Sequence, residues 1–350
     1  MNMQELDEYL KKYNLRELFL KDYFLAKQNP RTYKEFTDNI DLNFVKENKI
    51  IIPELNLTPD SSMFLEEDIF NNEELNIHVI KHDRYTPVFN HKHSFFEILY
   101  IYSGHCIQNI MGDKITLNEG DLCILSPEAE HSVEVFDDSI VINILVRKST
   151  FDSIFLEILD DENILSSFFT KILYTKNYNN YIIFRTNNST TVRMSIKHIF
   201  IESLERRKYS NKMLNYVLLI LFANLLRGEK NTVELPTELR KSNQNLSDIL
   251  IYIQNNYKTV TLEELSNKFN FTVSHLSRLI KLHTGHNFRK MIQTIKLNKA
   301  IKLLVSTDLK ICEINKRIGY ENTTHFIRTF KKQYGVSPNQ YRQNFVNKTN

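Results

Sequence analysis

Four side chains in the first half of the chain have the types and spacing of a metal-ligating or acid–base set. His91, His93 and Glu97 stand as H-x-H-x3-E, and His131 follows after Gly120 and Pro127. On one strand, the period of two would turn His91, His93 and Glu97 to the same face. Three imidazoles and a carboxylate can hold a first-row divalent metal, and with open coordination positions such a site can catalyse. Without metal, the same groups can line the mouth of a barrel and hydrogen-bond a small effector or one another. The second use is the expectation here: His91, His93, Glu97 and His131 as an effector pocket, with no metal, no cofactor and no catalytic residue. Phe96, Tyr100 and Tyr102 are candidate walls, although aromatic residues on strands are usually core.

A second chemistry lies near the C-terminus, where the sequence repeats. Val273 to Gly285 and Thr323 to Gly335 align fifty positions apart, pairing Ser274 with Thr324, His275 with His325, Leu276 with Phe326, Arg278 with Arg328 and Lys281 with Lys331. Upstream, Leu262, Glu264, Leu265 and Phe269 match Ile311, Glu313, Ile314 and Ile318 at an offset of forty-nine, so the second copy carries one extra residue in its turn. Each copy predicts a short helix capped by Thr261 or Asp308, a turn (Asn270-Phe271-Thr272 or Gly319-Tyr320-Glu321) and a second helix. In that second helix Leu276 with Ile280, and Phe326 with Phe330, make an inward stripe at i, i+4. Ser274, Arg278 and Lys281, and their counterparts Thr324, Arg328 and Lys331, make a polar, basic outer stripe. Arginine can bond guanine in bidentate fashion, small hydroxyls approach base edges, and lysine neutralises phosphate. Phe288 to Val305 contains no Pro or Gly and predicts one long helix, holding two readers apart for major-groove faces about 34 Å apart.

The charge distribution agrees. The 350 residues carry a net charge of +3, yet from Arg240 onward 19 Lys and Arg face 6 Asp and Glu, against 26 and 36 before it. A basic module follows an acidic one, which points to a polyanion as partner of the C-terminal part. No apolar run is long enough to cross a bilayer, the first twelve residues hold Glu5, Asp7 and Glu8 where a secretory signal would be basic then apolar, and three scattered cysteines suit a reducing compartment and ordinary core positions.

These sites need elements to hold them. Residues 1 to about 60 predict helices, with Leu6, Leu10, Leu18 and Leu25 near helical spacing and Pro30 and Pro53 as breaks. From Asn76 to Arg147, short β-type runs (Phe95 to Tyr102, Lys114 to Leu117, Ile140 to Leu145) alternate with turn signals, which suggests an antiparallel sandwich or small barrel. Helices return from 150 to 228, apart from a strand at Tyr181 to Arg185. The run from Lys212 to Arg227 is apolar on more than one face: Met213, Val217, Ile220, Leu221, Asn224 and Leu225 cluster together, while Leu214, Leu218, Leu219 and Leu226 cover the rest.

Residues Ile249 to Gln343 resemble the DNA-binding domain of the AraC/XylS family of bacterial transcription regulators. The segments that carry the resemblance include Ser274-His275-Leu276-Ser277-Arg278-Leu279-Ile280-Lys281, Ile318-Gly319-Tyr320, His325-Phe326-Ile327-Arg328-Thr329-Phe330 and Gly335-Val336-Ser337-Pro338. The resemblance implies two recognition helices in which Ser274, Ser277, Arg278, Thr323, Thr324, His325 and Arg328 face bases. Three positions depart from the family pattern. Lys296 stands where arginine is usual, and Ser266 and Asn315 replace a small alanine, Asn315 at some cost to the second unit. The histidine region resembles the two motifs of the cupin barrel, including the six residues between Glu97 and Gly104, but lacks a glycine six residues before His91 and the asparagine usual after the second-motif histidine. The AraC/XylS resemblance would also place a cupin barrel in front of the DNA-binding domain.

The expectation is therefore an α+β chain of five parts: an N-terminal helical extension (1–75), a cupin-like β-barrel effector domain (76–148), a helical candidate dimerisation region (149–228), a linker (229–245) and an all-α double helix-turn-helix domain (246–345). It is expected to be a cytoplasmic, sequence-specific transcription regulator. Its expected partners are double-stranded DNA (through Ser274, Ser277, Arg278, Lys281, Thr323, Thr324, His325, Arg328 and Lys331), a small effector and a second copy of itself, with no membrane partner. The rivals are a metal-dependent cupin enzyme with an accessory basic domain, and an architectural DNA binder with weak sequence preference.

Overall fold

The computed structural model describes residues 1–57, 62–70, 76–155, 180–227, 233–234, 244–284 and 286–349. These fall into two compact units, residues 1–154 with 180–234, and 244–349. The first opens with α1 (Met3–Lys11) and α2 (Leu15–Ala26). Asn2 and Asn14 cap them, each accepting backbone N–H groups while Glu5 or Glu17 accepts the asparagine N–H in return. Leu6 and Leu10 are buried as their spacing predicts, but Leu18 and Leu25 are 47% and 54% exposed. Helix α2 turns instead on Glu17, which is fully buried beside Leu20 and Tyr23. Its carboxylate accepts from Arg84 Nε at 2.8 Å and Lys81 Nζ at 2.7 Å, and that partnership, invisible in the apolar pattern, sets the face. Helices α3 (Pro30–Asp38) and α4 (Leu42–Glu47) and a 3-10 turn (Pro53–Leu55) follow; Pro30 and Pro53 each begin a helical segment, where a missing N–H costs nothing.

Next come β1 (Met63–Phe64), α5 (Glu66–Ile69), β2 (Ile77–Lys81), β3 (Lys92–His93), β4 (Phe96–Ser103), β5 (His105–Ile110), β6 (Asp113–Asn118), β7 (Leu122–Leu125), β8 (His131–Glu134) and β9 (Ile140–Val146). After α6 (Lys148–Phe155) the described chain resumes with β10 (Tyr181–Phe184), α7 (Thr190–Glu205), α8 (Ser210–Arg227) and β11 (Val233–Glu234). Two antiparallel sheets result, ordered β11-β10-β7-β4-β9-β2 and β6-β5-β8, with a parallel β1-β3 pair beside them. The sheets do not close into one barrel; they form a two-layer arrangement compatible with a cupin-like jelly roll.

Period-two alternation on β4 separates its two faces. Leu99 and Ile101 enter one buried cluster with Cys106, Ile110 and Leu117 of the smaller sheet. Phe96 and Tyr102 turn the other way, Phe96 stacking on Phe151 of α6 and Tyr102 lying beneath Arg193 of α7. The central sheet is thus covered on both sides, which is why its strands read as continuous apolar runs. At Gly120, between β6 and β7, a Cβ would come within 2.6 Å of the Asn188 backbone, so only glycine fits that approach. Cys106 and Cys123 are buried, but Cys312 is exposed and is not the core residue expected.

Within the stretch expected as a linker, Val233 and Glu234 pair with Phe184 and Ile183, and Glu234 accepts from Arg185 Nε at 3.0 Å. The remainder of 228–243 lies outside the described residues, as do 156–179 of the expected helical region.

The second unit contains α9 (Gln244–Asn256), α10 (Leu262–Phe269), α11 (Val273–Thr284), α12 (Phe288–Ser306), α13 (Ile311–Arg317), α14 (Thr323–Tyr334) and α15 (Pro338–Thr349). It has two small cores that share one helix. Met291 and Ile295 of α12 join Ile249, Leu265, Leu276 and Ile280, while Leu297, Ala300 and Leu304 join Ile314, Ile318, Phe326 and Phe330. A helix of 19 residues spans about 28 Å, enough to serve both cores without interruption.

Candidate nucleic-acid interface and histidine cluster

Each recognition helix is built from a turn that two bonds hold shut. In the first copy Thr261 caps α10, and Asn270 in the left-handed region ends it. Ser266 Oγ then donates to the Phe271 carbonyl, while Phe271 N donates back to Ser266 O at 3.1 Å. In the second copy Asn315 Nδ2 donates to Tyr320 O at 2.9 Å, and Tyr320 N returns to Asn315 O at 3.1 Å. The two residues that replace a small packing residue therefore do the same work at the same offset. Asn315 carries a cost as well, because its Oδ1 is buried without a partner. Lys296 Nζ adds a third bond in the second copy, donating to Gly319 O at 2.5 Å, and burial lowers its pKa.

Thr272 and Asn322 cap the recognition helices by accepting from His275 N and His325 N. Asp308 does not cap α13 as expected. That position falls to Lys310, whose N–H is held by Glu313 at 2.8 Å, because the chain stays extended until there. The extra residue of the second turn is present: three residues separate α10 from α11, and five separate the shorter α13 from α14. Gly335 ends α14 with positive φ, while its counterpart Gly285 lies outside the described residues.

Helices α11 and α14 divide as the repeat predicts. Leu276, Ile280, Phe326 and Phe330 are fully buried. Ser274, Arg278, Lys281, Thr324, His325, Arg328 and Lys331 are exposed, and Ser277 and Thr323 half-buried. None of the four basic side chains in this set pairs with a carboxylate of the described residues. Two exposed, unneutralised basic stripes on the outer faces of turn-locked helices are what duplex DNA requires of a major-groove reader.

The histidine cluster forms, though not on one strand. His91 makes an isolated bridge to His131, His93 lies on β3, and Ser94-Phe95 break the run before Glu97 on β4. The break brings the groups closer than a flat strand would. His93 Nε2 and His131 Nε2 lie 3.1 and 3.2 Å from the same Glu97 Oε2, with all three residues at most 3% exposed. The opposite ring nitrogens all face backbone carbonyls: His91 Nδ1 at Phe89 O (3.3 Å), His93 Nδ1 at Phe95 O (2.7 Å) and His131 Nδ1 at Ala129 O (3.1 Å). A carbonyl only accepts, so Nδ1 carries the hydrogen and a neutral ring presents a lone pair at Nε2. Lone pairs aimed at a buried carboxylate need a cation between them.

A proton on His131 supplies one. Burial disfavours the imidazolium, but the hydrogen bond and charge of Glu97 outweigh it and raise the His131 pKa. Burial likewise opposes ionisation of Glu97, and the hydrogen bond and charge of the protonated His131 overcome it and hold its carboxyl well below the usual range. Burial, reinforced by the His131 charge, pushes His91 down to about 3. A divalent metal would meet the same need, since His91, Glu97 and His131 offer ligand atoms all within 4.8 Å of one another. The expected walls Phe96 and Tyr102 point away, toward the helices; Phe64, Phe89 and Phe95 pack on the imidazoles instead. His82, which no motif spacing singled out, adds a buried Nε2 without a hydrogen-bond partner and interacts electrostatically with Glu97 and His131.

Comparison with known proteins finds both halves. Residues 77–178 match the family described as AraC-like ligand binding domain, and residues 265–344 a helix-turn-helix domain. The uncharacterized HTH-type transcriptional regulator YdiP of Escherichia coli K12 is 34% identical over 38% of this chain, which spans 43% of that protein's length. The HTH-type transcriptional activator RhaS of Enterobacter sp. strain 638 is 24% identical over 72% of this chain and 87% of its own. Among solved structures, the C-terminal domain of AraT, a response regulator from Geobacillus stearothermophilus, is 38% identical over 30% of this chain and 88% of that one, with a TM-score of 0.28. These matches are to regulators rather than enzymes. In this chain an AraC-like ligand-binding region precedes a helix-turn-helix domain, and the chain belongs to the AraC family of DNA-binding transcription regulators.

Proposed function

We propose that this regulator reads duplex DNA with α11 and α14, responds to a small polar effector in its N-terminal unit, and acts in the cytoplasm as a homodimer. The observation that carries the DNA reading is the twice-repeated division of a helix into a buried apolar stripe and an exposed basic stripe free of carboxylate partners. The match over 77–178 supports the effector, and the buried His91, His93, Glu97 and His131 set is the polar feature such a ligand would engage, bridged by a proton rather than a resident metal. Helix α8 supports the dimer. Leu214, Leu218, Leu221, Phe222 and Leu225 are buried, while Met213, Tyr216 and Ile220 are 48%, 61% and 53% exposed at i, i+3 and i+7. Among the described residues no helix is long and apolar enough to cross a membrane.

The test is selection of duplexes from a random pool by the full chain, followed by footprinting. Enrichment of two short blocks about 10 to 10.5 base pairs apart, centre to centre, is the expected result. Enrichment of a bend-prone composition without defined bases would favour the architectural alternative, and no enrichment would remove the reading.

A further inference from the structure

The C-terminal unit contains a basic cleft that extends beyond the recognition face of α14. Between the first turns of α12 and helix α14 lies a cleft of about 700 Å³, lined by Lys290, Gln293, His325, Arg328, Lys332 and Gln333. A neighbouring cleft of about 410 Å³ shares Lys290, Gln293 and His325 and adds Arg289. No aspartate or glutamate lines either one.

The cations here are left uncompensated. Lys290 is half-buried, and among the described residues its ammonium is held by amide oxygens, Gln293 Oε1 at 3.3 Å and Gln333 Oε1 at 3.2 Å. None of Arg289, Lys290, Arg328 and Lys332 forms an ion pair among the described residues. In the N-terminal unit, by contrast, Lys81, Arg84, Arg185, Arg193 and Lys197 each meet a carboxylate, while the half-buried Lys21 and Arg147 lie against aromatic rings. A cleft walled by cations and amides suits a hydrated anion better than an apolar ligand. The feature is also not part of the repeat. Fifty positions from Lys332 stands Leu282, and fifty from Arg289 and Lys290 stand Asn339 and Gln340. It therefore belongs to the junction between the two helix-turn-helix copies.

We propose that this cleft seats backbone phosphates of the DNA where the strand leaves the groove read by α14, with Lys290 and Lys332 as the phosphate-binding cations. The inference rests on the DNA-reading assignment. His325 and Arg328 line the cleft and belong to the base-facing set, so a strand read by α14 passes its opening; phosphate contacts there fix register without reading sequence.

The test uses the full chain, a duplex selected by the wild type and a scrambled duplex of equal length, with affinities measured between about 50 and 200 mM salt. K290Q/K332Q should weaken both duplexes by the same factor and leave the selected consensus unchanged. Losing two phosphate contacts flattens the slope of log affinity against log salt by about 1.8, so the variant should lose about twelve-fold less affinity than wild type across that range. K290R/K332R should restore the wild-type slope. An unchanged slope in K290Q/K332Q, or an altered preference at one base, overturns the proposal while leaving the DNA reading intact. Saturable binding of inorganic phosphate at constant ionic strength, lost in K290Q/K332Q without any change in DNA slope, assigns the cleft to a free anion and also overturns it. A wild type that selects no duplex overturns both.

Discussion

Replacing Glu17 with alanine should unfold the N-terminal unit well before the wild type. The carboxylate is fully buried and accepts from Arg84 Nε (2.8 Å) and Nη2 (3.2 Å), Lys81 Nζ (2.7 Å) and Asn14 N (2.9 Å). Arg84, only 2% exposed, lies over the Tyr13 ring at 3.6 Å, so it cannot swing to solvent when its partner goes. An exposed pair would be worth about 0.2 to 1 kcal/mol. Removing one member of a buried pair costs about 3 to 5 kcal/mol, because the survivor stays charged and unmatched. For a unit of this size, that cost lowers the melting temperature by about 6 to 20 °C. Circular dichroism is the assay, since the chain has no tryptophan. E17A/R84A should recover part of the loss by removing the stranded guanidinium. The bonds from Arg84 and Lys81 hold the Glu17 carboxyl below its ordinary value despite burial, so its contribution is present above about pH 4.5 and lost as pH falls through the folded pKa. An E17A protein that melts with wild type, or a double variant less stable than E17A by the full cost of R84A, would refute the reasoning.

Three further outcomes are expected. R278A and R328A should each cost about 1 to 3 kcal/mol and relax base preference in one block only; uniform weakening on every sequence would reassign them to phosphate. The His131–Glu97 pair should stabilise the N-terminal unit fully below the ordinary histidine pKa of about 6.5 and lose that effect as pH rises through the raised folded value, so its melting temperature falls as pH rises above about 6.5 and E97Q flattens the fall. Purified protein should hold well under one equivalent of metal, whereas a resident metal would reverse the pH trend because its ligands must be deprotonated. I220D should convert a dimer into a monomer in sedimentation at micromolar concentration while leaving the N-terminal unit folded; wild-type protein that is already monomeric would defeat the dimer reading.

The C-terminal unit was legible almost to the residue, because a repeat lets each copy check the other. Stripe, turn length and basic face all appear twice, and the misplaced expectations are the cap at Asp308 and the burial of Cys312. The N-terminal unit was legible in its strands and in the four residues of its cluster, but not in how they meet. The H-x-H-x3-E spacing suggested one flat strand, and the break at Ser94-Phe95 is set by long-range pairing of β3 with β1 that no local pattern encodes. The same holds for Glu17. A glutamate in a helix reads as solvated until Arg84 and Lys81 are brought to it from a distant strand and turn.

The shared helix α12 makes the distance between the two readers a property of residue count. Inserting one residue in the middle of α12 rotates everything beyond it by about 100° and advances it about 1.5 Å, so the core around Leu297, Ala300 and Leu304 would turn as a body relative to the first and α14 would face another direction. The turn before each recognition helix is more forgiving, since the two copies already differ there by one residue. Length variation accumulated by descendants of this sequence should therefore collect in those turns and spare the helix between them.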